Sequence, residues 1–364
     1  MREMGNVIAR PSVLPTAPAR ARDRGVNVRK WARRLLMLGA FGFLVRTTLV
    51  NLPTIEESGE QLLTRNGGLI ALALGLEVVW ILCLANVYRS ALRARGGSMN
   101  RVQALRVSMG AFSLSRILPG GGAAGSVFAA REMVRLGNGV PTTVSSMVVS
   151  WWMSMAALAA LVTAGTGLGM ATGAVGSAYL IGPTIVLAAL AIGAATVMVA
   201  VRSERLRPRL ARRLAGIANR LGLDSSPASW NVAVSSTSSA SRSSVASWSS
   251  VASWATSSWL ADAAALWVVF LAFGEILHPG VLLVGYGLAN LINALPELTP
   301  GWLGVLESAL AVAYAALGVP AGIAVMAVLS YRLISFWLPV AAGSAPAWQL
   351  LRGARRSPKA GAVT

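Results

Sequence analysis

SRILPGGGAAGSVFAARE, at residues 115–132, is the stretch on which the fold depends. It places a proline, three consecutive glycines and three charged residues inside an apolar segment. Proline removes a backbone N–H donor and clashes with the preceding helical turn, whereas glycine allows the chain to reverse. We therefore expect a break in a helix at LPGGG, residues 118–122, which leaves backbone polar groups in need of partners.

The composition around this stretch is that of a membrane protein. Of 364 residues, 55% are hydrophobic and 12% are charged, and several apolar runs approach or exceed the roughly 20 residues that a helix needs to cross a bilayer. A single cysteine, Cys83, excludes an internal disulfide framework, and a catalytic triad would have to use the single histidine, His278. The sequence predicts an all-α, polytopic membrane protein that is not an enzyme and binds no cofactor or metal.

The basic residues predict the orientation in the membrane. The chain carries a formal net charge of +19. Most of its Lys and Arg residues lie between the apolar runs, in 1–34, 88–106, 202–220 and 352–359. By contrast, 51–66 holds three Glu and one Arg, and 164–177 holds no charge. The positive-inside rule then places the protein in the cytoplasmic membrane with both termini in the cytoplasm. A basic tail of this kind suits anionic lipid headgroups, so we expect no nucleic-acid partner.

The apolar runs define the domain organisation. The first run passes into LPTIEE without a small-residue cleavage site, so we expect an uncleaved span. Six full spans are predicted, near 35–53, 68–88, 140–163, 176–201, 259–277 and 319–343. Residues 1–34 are expected to be a disordered cytoplasmic tail and 344–364 a second basic tail. The transmembrane domain then covers 35–343, with 202–258 as a cytoplasmic loop within it.

Two apolar regions, 102–130 and 281–318, remain after these spans, and each must begin and end on one side of the membrane. Each is interrupted at its middle, the first by LPGGG and the second by LPELTPGWLG at 295–304. The pieces beside the breaks have at most 16 residues, which as helices measure at most about 24 Å and fall short of the hydrocarbon core. Re-entrant hairpins fit better than full spans, although two complete spans would also return the chain to the same side.

The two interrupted regions occupy corresponding positions in two halves of opposite direction. The spans near 68–88 and 140–163 enclose the first region, and those near 259–277 and 319–343 enclose the second. This order predicts an inverted repeat, in which paired Gly/Pro-interrupted segments indicate a transport site near the midplane. Irregular backbone at membrane depth persists only where protein or a wet cavity satisfies it. We therefore expect both breaks to face a polar cavity.

The serine-rich run at 235–258 allows two interpretations. Thirteen serines in 24 residues are typical of a disordered linker. Val245, Trp248, Val251, Ala255 and Trp259, however, recur at helical spacing. An interfacial helix leading into the fifth span is the alternative.

Three stretches together resemble a known family. They are LPGGGAAGSVFAARE with the following Gly137–Pro141 turn, LPELTPGWLGVLESALAVAYAALGV, and YRLISFWLPVAAG. The chain resembles the lysylphosphatidylglycerol synthase transmembrane region, a flippase-like family, over about 35–351. Trp302 stands where that family commonly has a second glycine. The resemblance implies translocation without lipid synthesis, since no soluble aminoacyl transferase domain follows residue 343.

The first interrupted region carries candidate site residues. Arg116 precedes the break and is suited to bind a lipid phosphate through its guanidinium fork. The alternative is local pairing with a carbonyl or with Glu77. Arg131 and Glu132 follow the break as coupling residues or as interfacial residues at the cytoplasmic edge. The break itself contributes Pro119, Gly120 and Gly121.

The second interrupted region carries carboxylates. Glu297 and Glu307 flank Pro300 and Gly301, and Gly304 completes the turn. Glu307 begins a half-helix, where a carboxylate can cap free N–H groups or serve as a headgroup or proton site.

Further charges lie within or near the spans. Glu77 and Arg332 are lone charges among apolar neighbours, which in a membrane usually pair or face water. An ion pair of Glu77 with Arg332 or Arg116 is predicted, and Arg332 is a second candidate for phosphate binding. Arg46 is expected to snorkel to the interface, and Asp262 is expected to be an interfacial residue at the start of its span.

These observations predict a transporter or flippase of an anionic or amphipathic lipid, with membrane lipids as its partners. GGGAAGS lacks the Lys of a P-loop, so movement is downhill or coupled to protons through Glu77, Glu297 or Glu307. A membrane-embedded transferase would need a catalytic carboxylate with a polyprenyl-phosphate or divalent-metal motif such as D-D-x-x-D, whereas the acids within the membrane segments are scattered singly. A non-catalytic partner subunit of a lipid or glycan synthase is the remaining alternative, with the basic loop as its docking site.

Overall fold

The computed structural model describes residues 66–117, 121–223, 225–232, 245–294 and 300–344. None of these residues lies in a β-strand, and most of them are helical. The helices are α1 (Asn66–Ala94), α2 (Arg101–Ile117), α3 (Gly121–Arg135), α4 (Val140–Ala171), α5 (Ile181–Arg202), α6 (Arg207–Arg220), α7 (Val245–Ala272), α8 (Pro279–Asn290), α9 (Val305–Ala316) and α10 (Ala321–Arg332). The predicted fold class, an all-α polytopic membrane protein, is confirmed.

Five helical segments in the described part of the chain are long and apolar enough to cross a membrane. They are Asn66–Ala94, Val140–Ala171, Ser177–Ala200, Ser247–Ala272 and Ala321–Ser344. Each overlaps one of the predicted spans. The first predicted span, near 35–53, lies outside the described residues.

The fifth of the six predicted spans begins earlier than the sequence indicated. α7 is one helix from Val245 to Ala272, so the last serines of the run belong to a span rather than to a separate interfacial helix. Serine hydroxyls bond to carbonyls of the preceding turn, as in the 2.8 Å bond from Ser258 to Ala255. Because this bonding satisfies the hydroxyl within its own helix, serine is compatible with a membrane span.

The two interrupted regions form two helical hairpins. In the first hairpin, α2 and α3 pack closely at Gly125, where a Cβ atom would lie 2.4 Å from the carbonyl oxygen of Ala111. In the second hairpin, which comprises α8 and α9, the hydroxyl of Tyr314 donates a 3.0 Å hydrogen bond to the carbonyl oxygen of Leu282. The four arms have 17, 15, 12 and 12 residues, fewer than any of the five long segments. The number of membrane crossings stays a prediction, as does the inverted repeat.

The hairpins enter the bundle from opposite ends. The side-chain amide of Asn66 donates a 2.7 Å hydrogen bond to the carbonyl oxygen of Ala272, so α1 begins beside the point where α7 ends. The first hairpin follows the other end of α1, at residue 94, and the second hairpin follows the end of α7. Their tips therefore point toward each other. We call the end of the bundle at residue 94 the basic end.

A second departure from the sequence prediction lies at the basic end. The arginine-rich segment, expected to be a loop, contains the amphipathic helix α6. Its alanines Ala211, Ala215 and Ala218 are buried in a cluster with Ala130 of α3 and Val140 of α4. Small side chains let α6 approach these helices closely, while its arginines remain on the outer face.

Candidate functional site

The tips of the two hairpins contact each other through an arginine. Nη1 of Arg116, in the last turn of α2, donates a 3.0 Å hydrogen bond to the carbonyl oxygen of Gly301. Gly301 lies in the turn Pro300–Trp302, between α8 and α9. The carbonyl partner considered for Arg116 was a local one, whereas Gly301 is 185 positions away in the chain. A charged side chain from one hairpin satisfies a backbone group that the break in the other hairpin has freed.

Gly301 is the residue on which this contact depends. Its φ of +57° lies in the left-handed region, which favours glycine. A Cβ atom at this position would lie 2.6 Å from Cε2 of Phe336 and 2.8 Å from Cδ of Arg116. Both the backbone conformation and the available space therefore exclude a side chain.

The next residue, Trp302, has an unusual backbone conformation for its size. Its φ is +58°, where a bulky residue is a strained exception that the surrounding structure must hold in place. The side chain is only 1% exposed and belongs to the main hydrophobic core. The positive φ gives a physical reason why the resembled family commonly has glycine here, and core packing holds the tryptophan in this chain.

Glu307 links the tip of the second hairpin to α10. Its Oε1 accepts a 2.6 Å hydrogen bond from Nε of Arg332, and its Oε2 accepts a 2.7 Å bond from the backbone N–H of Gly304. Nη2 of Arg332 also lies 3.4 Å from the carbonyl oxygen of Gly301. Both charged side chains are buried. Glu307 is thus a helix cap and one half of a buried ion pair.

The predicted ion pair of Glu77 with Arg332 or Arg116 is wrong. Arg332 pairs with Glu307, and Nη1 of Arg116 binds Gly301. Glu307 takes the place of Glu77 because the free N-terminus of α9 holds its carboxylate next to α10.

Two phenylalanines lie against the guanidinium groups. Cζ of Arg116 is 4.9 Å from the ring centroid of Phe112 and 5.7 Å from that of Phe336. Cζ of Arg332 is 4.7 Å from the Phe336 ring centroid. Phe336 belongs to a π-helical turn, Leu333–Trp337, of a kind often found at functional sites. The aromatic faces hold the two cations beside each other through cation–π attraction.

Among the described residues at the tips, two guanidinium groups and one carboxylate converge. These three described side chains together carry one net positive charge. Gly301 offers the arginines a neutral acceptor, whereas a phosphate would offer a charged one, and charge-assisted hydrogen bonds are roughly twice as strong. The tips can therefore bind an anion that displaces the Gly301 carbonyl.

A second polar cluster, which the sequence did not predict, lies between α1, α7, α8 and α10. Asp262 is 8% exposed and accepts hydrogen bonds from the hydroxyls of Tyr286, at 2.6 Å, and Tyr331, at 2.5 Å. The carboxyl group of Glu77, which is 1% exposed, interacts with Asp262. The prediction that Asp262 is an interfacial residue at the start of its span is therefore wrong, because α7 begins at Val245. The helical spacing that begins at Val245 was the available signal in the sequence, because a span that starts there contains Asp262 well inside it.

The remaining predicted residues lie at the basic end, at the ends of the hairpin arms, or outside the described residues. Arg131 is exposed and donates a 2.7 Å hydrogen bond to the carbonyl oxygen of Leu221, which follows α6. Glu132 pairs with Arg135 at 2.9 Å. These contacts lie at the basic end and favour the interfacial interpretation of Arg131 and Glu132.

Gly121 is the first residue of α3 and Pro300 opens the turn of the second hairpin. Outside the described residues lie Arg46, Pro119, Gly120 and Glu297.

An apolar cavity of about 560 Å³ lies among α1, α3, α4 and the residues after α6. Its lining is mostly aliphatic and aromatic and includes Leu84, Tyr88, Val127, Met147, Trp151 and Leu223. The contact between Arg131 and Leu221 lies at its edge, because Leu221 also lines the cavity. The cavity can hold hydrocarbon but offers few polar groups.

These features define an α-helical, multi-pass membrane protein with two interrupted hairpins that meet at a charged site. A family model described as the lysylphosphatidylglycerol synthase TM region matches residues 32–343, and the chain belongs to this family.

Two curated relatives give a more local match. Over 87 residues the chain is 37% identical to a UPF0104 membrane protein of Methanothermobacter thermautotrophicus (strain Delta H), and over 87 residues it is 34% identical to a second UPF0104 membrane protein of that organism. Each match covers 24% of this chain, and 26% and 25% of the two relatives, so the chain spans about a quarter of their length.

Proposed function

We propose that this protein translocates a lipid or lipid-linked amphiphile with an anionic headgroup across the cytoplasmic membrane. The observation that carries the proposal is the contact of the two hairpin tips at Arg116 and Gly301. Interrupted segments at corresponding positions of two opposed halves commonly form the substrate site of a transporter. Family membership supports a lipid substrate, because the family description names lysylphosphatidylglycerol.

The headgroup binds where the tips now bind each other. A phosphate that enters between the hairpins accepts hydrogen bonds from Arg116 and Arg332 in place of the Gly301 carbonyl. The planar guanidinium fork matches two phosphate oxygens at once. Binding therefore weakens the contact between the hairpins, because the phosphate replaces the Gly301 carbonyl as the acceptor.

Alternating access follows from the opposite directions of the hairpins. The first hairpin comes from the basic end and the second from the other end, so their contact separates two possible routes of entry. Movement of one half against the other opens one route at a time. The acyl chains stay in the bilayer or in the apolar cavity beside Tyr88 and Trp151, whose lining suits hydrocarbon.

The positive-inside distribution favours an orientation with both termini and the basic end in the cytoplasm. We propose a non-enzymatic role without a cofactor, since the sites described above offer binding groups rather than an activated nucleophile. Without a P-loop sequence, movement is downhill or coupled to an ion gradient.

The first experiment is a lipid-translocation measurement in proteoliposomes. The wild type is compared with Arg116→Ala and with Arg101→Ala, which removes an exposed arginine from the start of the same helix. Fluorescent lipids with anionic, zwitterionic and aminoacylated headgroups serve as probes. We expect faster translocation of an anionic lipid with the wild type and Arg101→Ala, and a loss of at least tenfold with Arg116→Ala.

Equal rates for the two arginine variants would show that the tips do not bind the headgroup. No translocation with any headgroup, at matched levels of folded protein, would overturn the proposed function.

A second function, as a non-catalytic partner of a lipid or glycan synthase, is favoured by one feature. α6 presents exposed arginines, including Arg209, Arg212 and Arg213, on the face opposite its buried alanines. Replacing these three arginines by Gln leaves the buried face intact. Loss of a synthase-dependent product in cells, with lipid translocation in proteoliposomes unchanged, would support the partner role.

A further inference from the structure

Glu77 is a buried acid without a described hydrogen-bond donor. It lies on α1 within a membrane span, and its side chain is 1% exposed. Neither carboxyl oxygen receives a hydrogen bond from any residue in the described part of the chain. An ionised carboxylate in such a place is costly, because burial removes the water that would stabilise its charge.

Asp262, on α7, is the acid next to Glu77. Unlike Glu77, it accepts hydrogen bonds from described residues on both of its carboxyl oxygens. The hydroxyl of Tyr286 on α8 donates to its Oδ2, and the hydroxyl of Tyr331 on α10 donates to its Oδ1. Both oxygens therefore act as acceptors. Donors on each oxygen favour the ionised form of a carboxyl group.

Asn66, eleven residues before Glu77 on α1, binds the carbonyl oxygen of Ala272, ten residues after Asp262 on α7. The two acids therefore lie at the same level of adjacent, antiparallel helices, where their carboxyl groups interact. Two ionised carboxylates have only acceptors and repel each other, so a hydrogen bond between them requires one proton. The two tyrosines stabilise the charge on Asp262, whereas the described residues offer no such donor to Glu77. The proton therefore belongs on Glu77, which donates to Asp262.

We propose that Glu77 and Asp262 form a proton-binding site, in which protonated Glu77 hydrogen-bonds to the Asp262 carboxylate. Of the described residues, the polar groups that face this pair are Tyr286 on α8 and Tyr331 and Arg332 on α10. No third acid, His or Cys in the described ranges joins the pair to complete a metal site.

The pair is connected to the hairpin tips through α10. Tyr331 binds Asp262, and the next residue, Arg332, binds Glu307. Release of the proton from Glu77 to water leaves two neighbouring carboxylates, and both attract Arg332. Proton release therefore competes with Glu307 for Arg332 and loosens the site at the tips. This coupling step rests on the proposed lipid translocation, whereas the proton site does not.

Infrared difference spectroscopy of the reconstituted protein tests the proton site without any transport measurement. A protonated carboxyl group has a C=O stretching band separate from carboxylate bands and sensitive to deuterium exchange. We expect this band at neutral pH in the wild type and in Glu204→Gln, which removes an exposed acid. Glu77→Gln should abolish it, while the Gln amide can still donate to Asp262 and preserve folding.

Asp262→Asn provides a second variant. It removes the charged acceptor but keeps Glu77, so we expect the band to remain and to shift. A band that persists in Glu77→Gln would overturn the proposal, and so would its absence from the wild type. Loss of the wild-type band on addition of NaCl, but not of choline chloride, would show instead that the pair binds a monovalent metal cation.

Translocation under an imposed pH gradient tests the coupling. We expect the gradient to change the wild-type rate and to leave the Glu77→Gln rate unchanged. If the infrared band behaves as expected but no variant moves lipid, the proton site stands and the proposed function fails. If lipid moves and the rates of both proteins respond equally to the gradient, the translocation stands and the coupling fails.

Discussion

Nη1 of Arg116 lies 3.0 Å from the carbonyl oxygen of Gly301, although 185 positions separate the two residues in the chain. The contact joins the tips of two hairpins that enter the bundle from opposite ends. The sequence of each hairpin is interrupted by proline and glycine, and the backbone at Gly301 of the second hairpin supplies the acceptor for the arginine of the first. The helix breaks therefore have a shared structural role, which is to bring polar groups together at one place.

Substitution of Gly301 by alanine should disrupt this contact. The new Cβ would lie 2.6 Å from Cε2 of Phe336 and 2.8 Å from Cδ of Arg116. Gly318→Ala is a matched control, since Gly318 also has a positive φ, +92°, but has open space around its Cβ position. We expect a larger loss of thermal stability and of lipid translocation for Gly301→Ala. Equal effects of the two substitutions would show that backbone conformation alone matters.

The buried ion pair of Glu307 and Arg332 should stabilise the fold more than the pair of Glu132 and Arg135, in which the arginine is exposed. The side chains of Glu307 and Arg332 are 9% and 8% exposed, and those of Glu132 and Arg135 are 12% and 39% exposed. Glu307→Ala leaves Arg332 without its carboxylate, which typically costs about 3 to 5 kcal/mol of unfolding free energy.

The same measurement includes its own controls. Glu132→Ala should cost about 1 kcal/mol or less. The double variant Glu307→Ala/Arg332→Met should recover part of the loss, because it removes the unpaired charge. Denaturant unfolding in lipid–detergent micelles provides the values. A double variant as unstable as the sum of its single variants would contradict a direct pairing.

The first hairpin should be sensitive to any side chain at Gly125. Its Cβ position lies 2.4 Å from the carbonyl oxygen of Ala111, a backbone atom that cannot move aside. Overpacking of this kind typically costs about 1 to 3 kcal/mol. Gly167→Ala, in α4, is the control because no atom lies within 4 Å of its Cβ position. Thermal unfolding should show a lower midpoint for Gly125→Ala alone, and an unchanged midpoint would indicate that α2 and α3 can separate freely.

The hydroxyl of Tyr331 should contribute more to stability than that of Tyr314. Tyr331 donates to the carboxylate of Asp262, whereas Tyr314 donates to the backbone carbonyl of Leu282. Hydrogen bonds to charged groups contribute about 1.5 to 3 kcal/mol and neutral ones about 0.5 to 1.5 kcal/mol. Unfolding of Tyr331→Phe and Tyr314→Phe, both with buried rings, measures the difference. The reverse order would argue that Asp262 is not ionised.

Local sequence features were sufficient to predict the class of protein and the positions of most segments. Hydropathy located the spans near 68–88, 140–163, 176–201 and 319–343. Proline and glycine located the interruptions at 118–122 and 295–304. The start of α7 was missed because six serines between residues 245 and 258 lower the hydropathy of its first turns. Hydropathy does not register that a serine hydroxyl can bond within its own helix.

The partners of the charged residues were predicted less well. Arg116 was correctly placed beside a break, but only a local carbonyl was expected as its partner, and the observed one belongs to Gly301 in the other hairpin. Glu77 was expected to pair with an arginine, but its neighbour is another acid, Asp262. Tyr286 and Tyr331 donate hydrogen bonds to the carboxyl oxygens of Asp262. They carry no charge, so a search for lone charges in the sequence does not find them.

The sequence by itself determined that the chain is an all-α membrane protein with broken segments, because hydropathy and the backbone limits of proline and glycine act within one segment. Only the tertiary structure decided that Arg332 pairs with Glu307, that Arg116 reaches Gly301, and that Asp262 is buried. These contacts join segments that are distant in the chain. Their geometry depends on how the helices pack against one another, which no local pattern of residues specifies.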